Sequence, residues 1–228
     1  MGGHQVLVCI STDDLQVFVK AYPGMSVSPA TGGPTVLRGR FAFEATWGGV
    51  DVNDAYELRV EVASYPEMLP RVFETGGRIE RKADEHVFAE SGRLCLGSEL
   101  RLRQKIGPRL DLLSFADECI VPFLYAASRR KAEGRFVLGE LSHGYAGLFE
   151  DYQNLFGVSG EEAVLSALRI LATTPGAAMR HPCPCGCGKR LGQCGFHDRI
   201  AEIRGLAPRK VFEGINRSLR VGKAGVKI

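Results

Sequence analysis

The sequence YELRVEV at residues 56–62 has the alternation that decides the fold. Large apolar residues occupy every second position and charged residues lie between them, so one face is apolar and the other is charged. This pattern is typical of a half-buried antiparallel strand. Residues 36–46 alternate more weakly, and residues 71–73 allow a further short strand. With residues 47–54 as a turn, these segments predict a meander of three or four antiparallel strands.

Beyond residue 62, the sequence predicts a polar loop that ends in a turn with one cysteine, Cys95. Pro66 and Pro70 interrupt the strand pattern, and residues 78–90 are mostly polar and include His86. Residues 91–97 then read SGRLCLG, a tight turn that presents Cys95 between two leucines. On composition alone, a cysteine between leucines is typical of a buried core residue.

Bulk properties set the domain organisation. The chain has 228 residues, with 29 Lys and Arg against 26 Asp and Glu. This length suits a domain of about 150 residues and an appendage, so we predict a domain at residues 1–158 and a C-terminal part at residues 159–228. A net charge of +3 does not by itself indicate nucleic-acid binding.

Localisation is predicted from apolar runs and cysteines. No run approaches the ~20 apolar residues of a membrane span, and residues 6–10 are too short a run for a signal peptide. Four of the seven cysteines fall within residues 183–194, which favours metal binding over disulfides. A cytoplasmic protein is expected.

Three later segments have the apolar spacing of packed helices: residues 110–130, 145–156 and 161–173. Pro122 predicts a kink or a boundary in the first of them. Cys119 lies on its apolar stripe, which favours a core role over a second reactive thiol.

The ends of elements have weaker signals. Residues 5–10 indicate a short strand, and Ser11 followed by Asp14 indicates a helix N-terminus. Residues 21–34 are rich in Pro, Gly, Ser and Thr and predict a loop or an ordered connection. Ser159 is the predicted cap of the helix that follows it.

A second polar loop reads GELSHG at residues 139–144. Its Ser142 could cap the next helix, or its His143 could face a site. His86 and His143 are two imidazoles outside the tail that could hold Cys95 as a thiolate or deprotonate an incoming amine. The sequence does not choose between them.

The tail at residues 181–197 reads HPCPCGCGKRLGQCGFH. The spacing of Cys183, Cys185, Cys194 and His197 suits a tetrahedral Zn²⁺ site, with four protein ligands and therefore a structural role. Cys187 and His181 are reserve ligands, and a disulfide remains the alternative. Residues 199–227 follow with eight Lys and Arg against two Glu. A solvated face is the default for this excess, and without interleaved aromatic residues it favours a protein partner over nucleic acid.

The first part of the chain resembles the ubiquitin-conjugating enzyme (UBC) family. The residues that match the family pattern in register are Tyr65, Pro66, Pro70, Val72, Gly92, Cys95 and Leu96. The resemblance implies an α+β fold, with a UBC-like antiparallel meander flanked by helices, and a Cys95 that carries an acyl group as a thioester. Residues 85–87 read EHV where the family has His-Pro-Asn, so the family's Asn is missing.

Two narrower resemblances add detail. Residues 183–189 with the later Cys194 are similar to the SEC-C zinc motif, but Cys187 replaces its usual Ser, and Gly195 stands where the fourth ligand normally follows. The UBC-like domain, the EHV stretch and the GELSHG loop are similar to conjugating-enzyme-like proteins of bacterial anti-phage (CBASS) operons. This implies ligation of the C-terminus of a cyclic-oligonucleotide synthase (CD-NTase) to an acceptor lysine, with activation supplied by another chain or dispensed with.

Other functions remain open at this point. Cys95 could be spare, in a catalytically silent UBC-like adaptor. The zinc tail could bind nucleic acid or a chaperone-like partner, with an incidental UBC resemblance. A cysteine hydrolase would release a free carboxylate rather than a conjugate.

Overall fold

The structure is a computed structural model that describes residues 10–28, 33–133 and 144–223. It divides into two compact units, Met1–Gly139 and Glu140–Ile228. The division falls after Gly139, whereas the sequence interpretation placed it after residue 158; the assignment of residues 1–158 as a catalytic domain stays a prediction. Across the described residues, no helix is both long enough and apolar enough to cross a membrane.

The first unit is built on a four-stranded antiparallel sheet in the order β1-β2-β3-β4. The strands are β1 Met25–Ser28, β2 Thr35–Trp47, β3 Val50–Val62 and β4 Arg71–Glu74. The α+β class and the antiparallel meander are confirmed. Two predictions about turns are wrong: β1 lies within the predicted loop at residues 21–34, and only Gly48 and Gly49 turn in the predicted turn at residues 47–54.

One face of the sheet forms the core, as the alternation at residues 56–62 predicts. Tyr56, Leu58, Val60 and Val62 are at most 3% exposed. The intervening Glu57 is exposed. Burying a large apolar side chain contributes about 1.5–3 kcal/mol, which fixes the register because a one-residue slip would expose the whole set.

Helices cover this unit. They are α1 Thr12–Ala21, α2 Glu99–Ile106, α3 Leu112–Phe115 and α4 Val121–Glu133, with a π-helical segment at Ala116–Ile120. Ser11 caps α1, because its Oγ accepts the Asp14 N–H at 3.1 Å. The predicted strand at residues 5–10 lies almost entirely outside the described residues.

The predicted helix at residues 110–130 is confirmed in its core but is built in pieces. The Val121 N–H donates to the Ala116 carbonyl, five residues back, so the chain is π-helical just before Pro122. Such a wider turn accommodates a residue that lacks an N–H. Cys119 is 2% exposed and belongs to the core, as predicted.

The second unit is helical around the cysteine-rich segment. Its helices are α5 Gly144–Phe156, α6 Glu161–Leu171, α7 Pro175–Ala178, α8 Phe196–Arg204 and α9 Arg209–Lys223. The two predicted helices in this region are confirmed, but α6 begins after Gly160 without a side-chain cap, so the predicted Ser159 cap is wrong. Arg204 donates to the carbonyls of Ile170, Leu171 and Thr173 and so satisfies the open end of α6.

Candidate cysteine site and candidate metal centre

Residues 93–95 form a short extended segment held on both sides by backbone hydrogen bonds. On one side the Leu94 N–H donates to the Val72 carbonyl of β4 at 2.8 Å. On the other side the Phe88 N–H donates to Arg93 at 2.9 Å, and the Cys95 N–H donates to the His86 carbonyl at 2.7 Å. Cys95 therefore sits on a segment fixed between β4 and residues 86–88, just before α2.

The bridges Phe73↔Arg93 and Val87↔Leu94 set the register of this region. Val72, Leu94 and Val87 all point into the core. The register then aligns Arg71, Cys95 and His86 in one row across the three segments. The next row holds Phe73, Arg93 and Phe88.

The Cys95 thiol is half-buried. Burial raises its pKa, against the opposing effects of the Arg93 charge and of the Gly97 N–H that donates to the sulfur. Gly97 has φ 144°, and a side chain there would press on Leu102 of α2. The turn between Cys95 and α2 thus requires glycine and supplies one N–H donor to the sulfur.

The two predicted imidazoles have different outcomes. His86 follows a 3₁₀ turn at Ala83–Glu85 in a left-handed conformation with φ 53°, opposite Cys95 in the register. The structure therefore brings the backbone of His86 to Cys95. His143, with the rest of residues 139–143, lies outside the described residues.

A buried arginine beside the site was missed by the sequence interpretation. The Arg103 side chain on α2 is fully buried. Its guanidinium donates to the carbonyls of Pro66 and Glu67 at 2.9 and 2.8 Å and to the Glu99 carboxylate at 2.8 Å. Arg103 therefore ties the loop that follows β3 to the helix that follows Cys95. An arginine on a polar-looking helix gives no sequence signal of this role.

The candidate metal centre is formed by Cys183, Cys185, Cys187 and Cys194. Their four Sγ atoms lie within 4.8 Å of one another, and among the described residues they form the group of side chains that could hold a metal ion. The Cys183–Cys185 and Cys185–Cys194 sulfur distances are 3.1 and 3.7 Å. Cys183 is buried, whereas Cys185 and Cys187 are exposed.

A tight hairpin brings the first three cysteines together. The Cys183 N–H donates to the Lys189 carbonyl at 2.9 Å, and Pro182 pairs with Arg190. Gly186 and Gly188 have φ 80° and 75°, conformations that favour glycine. Backbone N–H groups donate to three of the sulfurs; that of Lys189 is the main reason that the pKa of Cys187 falls to about 7. At Cys187 this donor stabilises the thiolate that a metal requires, whereas burial raises the pKa of Cys183.

His197, the predicted fourth ligand, is not in this group. Its Nδ1 lies 2.7 Å from the Cys194 carbonyl oxygen and its Nε2 lies 3.2 Å from Asp198. The reserve candidate Cys187 takes the fourth place, and the other reserve candidate, His181, is also outside the group. His197 lies in the first turn of α8, which begins at Phe196, and so it does not join the four sulfurs. The hairpin instead turns Cys187 back toward Cys194.

The fold and these sites define an α+β protein with a half-buried cysteine on an extended segment beside its sheet and a cluster of four cysteines in its C-terminal unit. Comparison with known proteins found no matching family model, no matching curated protein and no matching solved structure.

Proposed function

We propose that this chain is a UBC-like cysteine transferase that accepts the C-terminal carboxyl of a protein on Cys95 and passes it to an amine. The observation that carries the proposal is the position of Cys95. It follows a helix and a four-stranded antiparallel meander, at the end of a short extended segment just before the next helix. This is the order that the UBC resemblance implies.

The proposed chemistry has two acyl transfers. In the first, the Cys95 thiolate attacks an activated carbonyl carbon, the Sγ–C bond forms and the leaving group departs with its electron pair. In the second, the acceptor amine attacks the thioester, loses a proton to a base, and the Cys95 thiolate leaves. His86 is the proposed base because it lies opposite Cys95 in the register; His143 remains a second candidate.

The proposed substrates follow from the CBASS resemblance. The acyl donor is the C-terminus of a CD-NTase, the acceptor is a lysine of a target protein, and the reaction takes place in the bacterial cytoplasm as part of anti-phage defence. Activation of the carboxyl is assigned to another protein of the same operon.

The test is the intact mass of the protein co-expressed with its operon neighbours. Wild type is expected to carry an adduct that thiols release, and Cys95→Ser is expected to carry one that thiols do not release, because an oxyester resists thiol exchange. Cys119→Ser is the matched control and should behave like wild type. An adduct that persists in Cys95→Ala would refute the proposal.

A silent adaptor is the second candidate, and one observation favours it. Burial raises the pKa of Cys95, which lowers the thiolate fraction at neutral pH. An adaptor would bind the same partner equally well as wild type and as Cys95→Ala, and neither protein would form an adduct.

We also propose that the cysteine cluster holds a structural Zn²⁺. Zn–S bonds of about 2.3 Å in a tetrahedron place sulfurs roughly 3.8 Å apart. The Cys185–Cys194 separation of 3.7 Å matches this value, whereas the Cys183–Cys185 separation of 3.1 Å is shorter, so Cys183 and Cys185 would move apart on binding the ion. Cys183, Cys185, Cys187 and Cys194 would bind the ion. The ion would supply a cross-link that joins the hairpin to the residues just before α8.

A further inference from the structure

Two arginines lie on the same face of the backbone as Cys95. The register places Arg71 of β4 directly opposite Cys95, and Arg93 lies two residues before Cys95 on the same side of the segment. Burial, and then the charge of Arg71, lower the pKa of Arg93, as expected for two cations held close together.

Two acidic residues near these arginines, Glu61 and Glu99, are bound by other arginines. Glu61 faces Arg71 across β3 and β4, but it is held in an ion pair by Arg59. Glu99 follows Cys95, but its carboxylate accepts two hydrogen bonds from the buried Arg103. The charge of Glu99 still opposes the lowering of the pKa of Arg93, but among the described residues neither acid forms an ion pair with Arg71 or Arg93.

The Arg93 side chain is held against an aromatic ring. The Arg93 guanidinium carbon lies 4.4 Å from the ring centroid of Phe88, a contact that fixes the side chain but leaves its donors available. A third guanidinium, that of Arg81, lies against Gly92 at the start of the same turn. Among the residues that the structure describes, no carboxylate oxygen lies within 4.0 Å of a nitrogen of Arg71, Arg81 or Arg93.

We propose that Arg71 and Arg93 form an anion subsite beside Cys95, which selects an acyl donor with acidic residues next to its reacting carboxyl end. The choice of an acidic peptide rests on the proposed transfer function, whereas the subsite rests on the charges and the register alone. Arginine forks match carboxylate geometry, and a donor with basic residues at these positions would be repelled.

The charge of the subsite is measured with two alkylating probes of similar size, anionic iodoacetate and neutral iodoacetamide. The ratio of their rates at Cys95, followed by peptide mass mapping, reports the local field and cancels changes in the thiolate fraction. For unit charges roughly 6 Å apart in water, removing one arginine should lower the rate with iodoacetate, relative to the rate with iodoacetamide, about threefold. We expect this fall in Arg93→Gln and in Arg71→Gln, and about tenfold in the double variant.

Three controls make the result specific. Arg40→Gln removes an arginine from the outer face of β2, more than a Debye length of about 8 Å away, and should leave the ratio unchanged. Arg93→Lys keeps the charge and should keep the wild-type ratio, whereas a merely structural role would not be rescued. Raising the salt concentration to about 1 M should remove most of the difference in this rate ratio between wild type and the double variant. A wild-type ratio retained in the double variant would overturn the subsite.

The donor class is tested with synthetic peptide thioesters. The Cys95 thiolate would attack the carbonyl carbon, form the Sγ–C bond and displace a small thiolate, which takes up a proton. Peptides with two glutamates before a terminal glycine should acylate Cys95 faster than peptides with two lysines, and Arg93→Gln should remove the preference. Equal rates would overturn the acidic donor. Charge-selective alkylation without acylation by any peptide would instead refute the transfer function and leave the anion subsite supported.

Discussion

Replacing Arg103 with methionine should destabilise the first unit by about 3–4 kcal/mol, because a fully buried guanidinium holds three acceptors at once. The change removes the donors to the Pro66 and Glu67 carbonyls and to the Glu99 carboxylate. Hydrogen bonds to a charged group contribute about 1.5–3 kcal/mol each. The full sum is reduced because Pro66 is exposed and the Glu99 side chain is 35% exposed, so water can partly replace the lost donors.

The assay is urea denaturation followed by the fluorescence of Trp47, the one tryptophan of the chain, which lies at the end of β2. With a slope of about 1.5–2 kcal/mol per M, the midpoint should fall by about 2 M. Lys105→Met, on the exposed face of the same helix, is the matched control and should shift the midpoint by less than ~0.3 M. Arg103→Lys should lose roughly half as much as Arg103→Met, since an ammonium cannot form the same fork. If Arg103→Met unfolds within about 1 kcal/mol of Lys105→Met, the reasoning from burial is wrong.

Three further predictions concern the metal centre, the pH dependence and the thiols. Cys187→Ser should lower zinc affinity by at least ~100-fold while His197→Ala still binds one equivalent, as measured by competition with a chelating dye. Asp54, whose pKa falls to about 2 mainly through its hydrogen bond from an arginine, should contribute about 1 kcal/mol above pH 4 and lose it as the pH falls toward 2; urea midpoints of Asp54→Asn and wild type should therefore converge in acid. Alkylation by iodoacetamide should be faster at Cys95 than at Cys119, whose pKa burial raises to about 12.

Each of these has a result that would contradict it. Loss of zinc in His197→Ala with retention in Cys187→Ser would restore the ligand set expected from the sequence. A constant stability difference between Asp54→Asn and wild type from pH 7 to pH 2 would show that the ion pair with Arg78 does not lower the pKa of Asp54 in the folded state. Faster alkylation of Cys119 would mean that the α3–α4 region opens more readily than the Cys95 turn.

Local patterns determined much of the first unit. The buried face of β3 followed from its period of two, and the core role of Cys119 followed from helical spacing. The strand β1 was missed because its segment is rich in turn-forming residues, and it is held by backbone pairing with β2 rather than by an apolar pattern of its own. The cap of α1 was found because it depends on two residues only three positions apart.

The sequence by itself determined the half-buried strands, the packed helices and the cysteine-rich tail, but the predicted tight turn at residues 91–97 contains an extended segment at residues 93–95. The strands, helices and tail depend on residues that are neighbours along the chain. Only the tertiary structure decided that Arg71 lies opposite Cys95, that Arg103 is buried against residues 66–67, and that Cys187 rather than His197 joins the other cysteines. Such pairings depend on strand register and on the direction in which a hairpin turns back. Both are set by burial and hydrogen bonding summed over many distant residues, which no local pattern encodes.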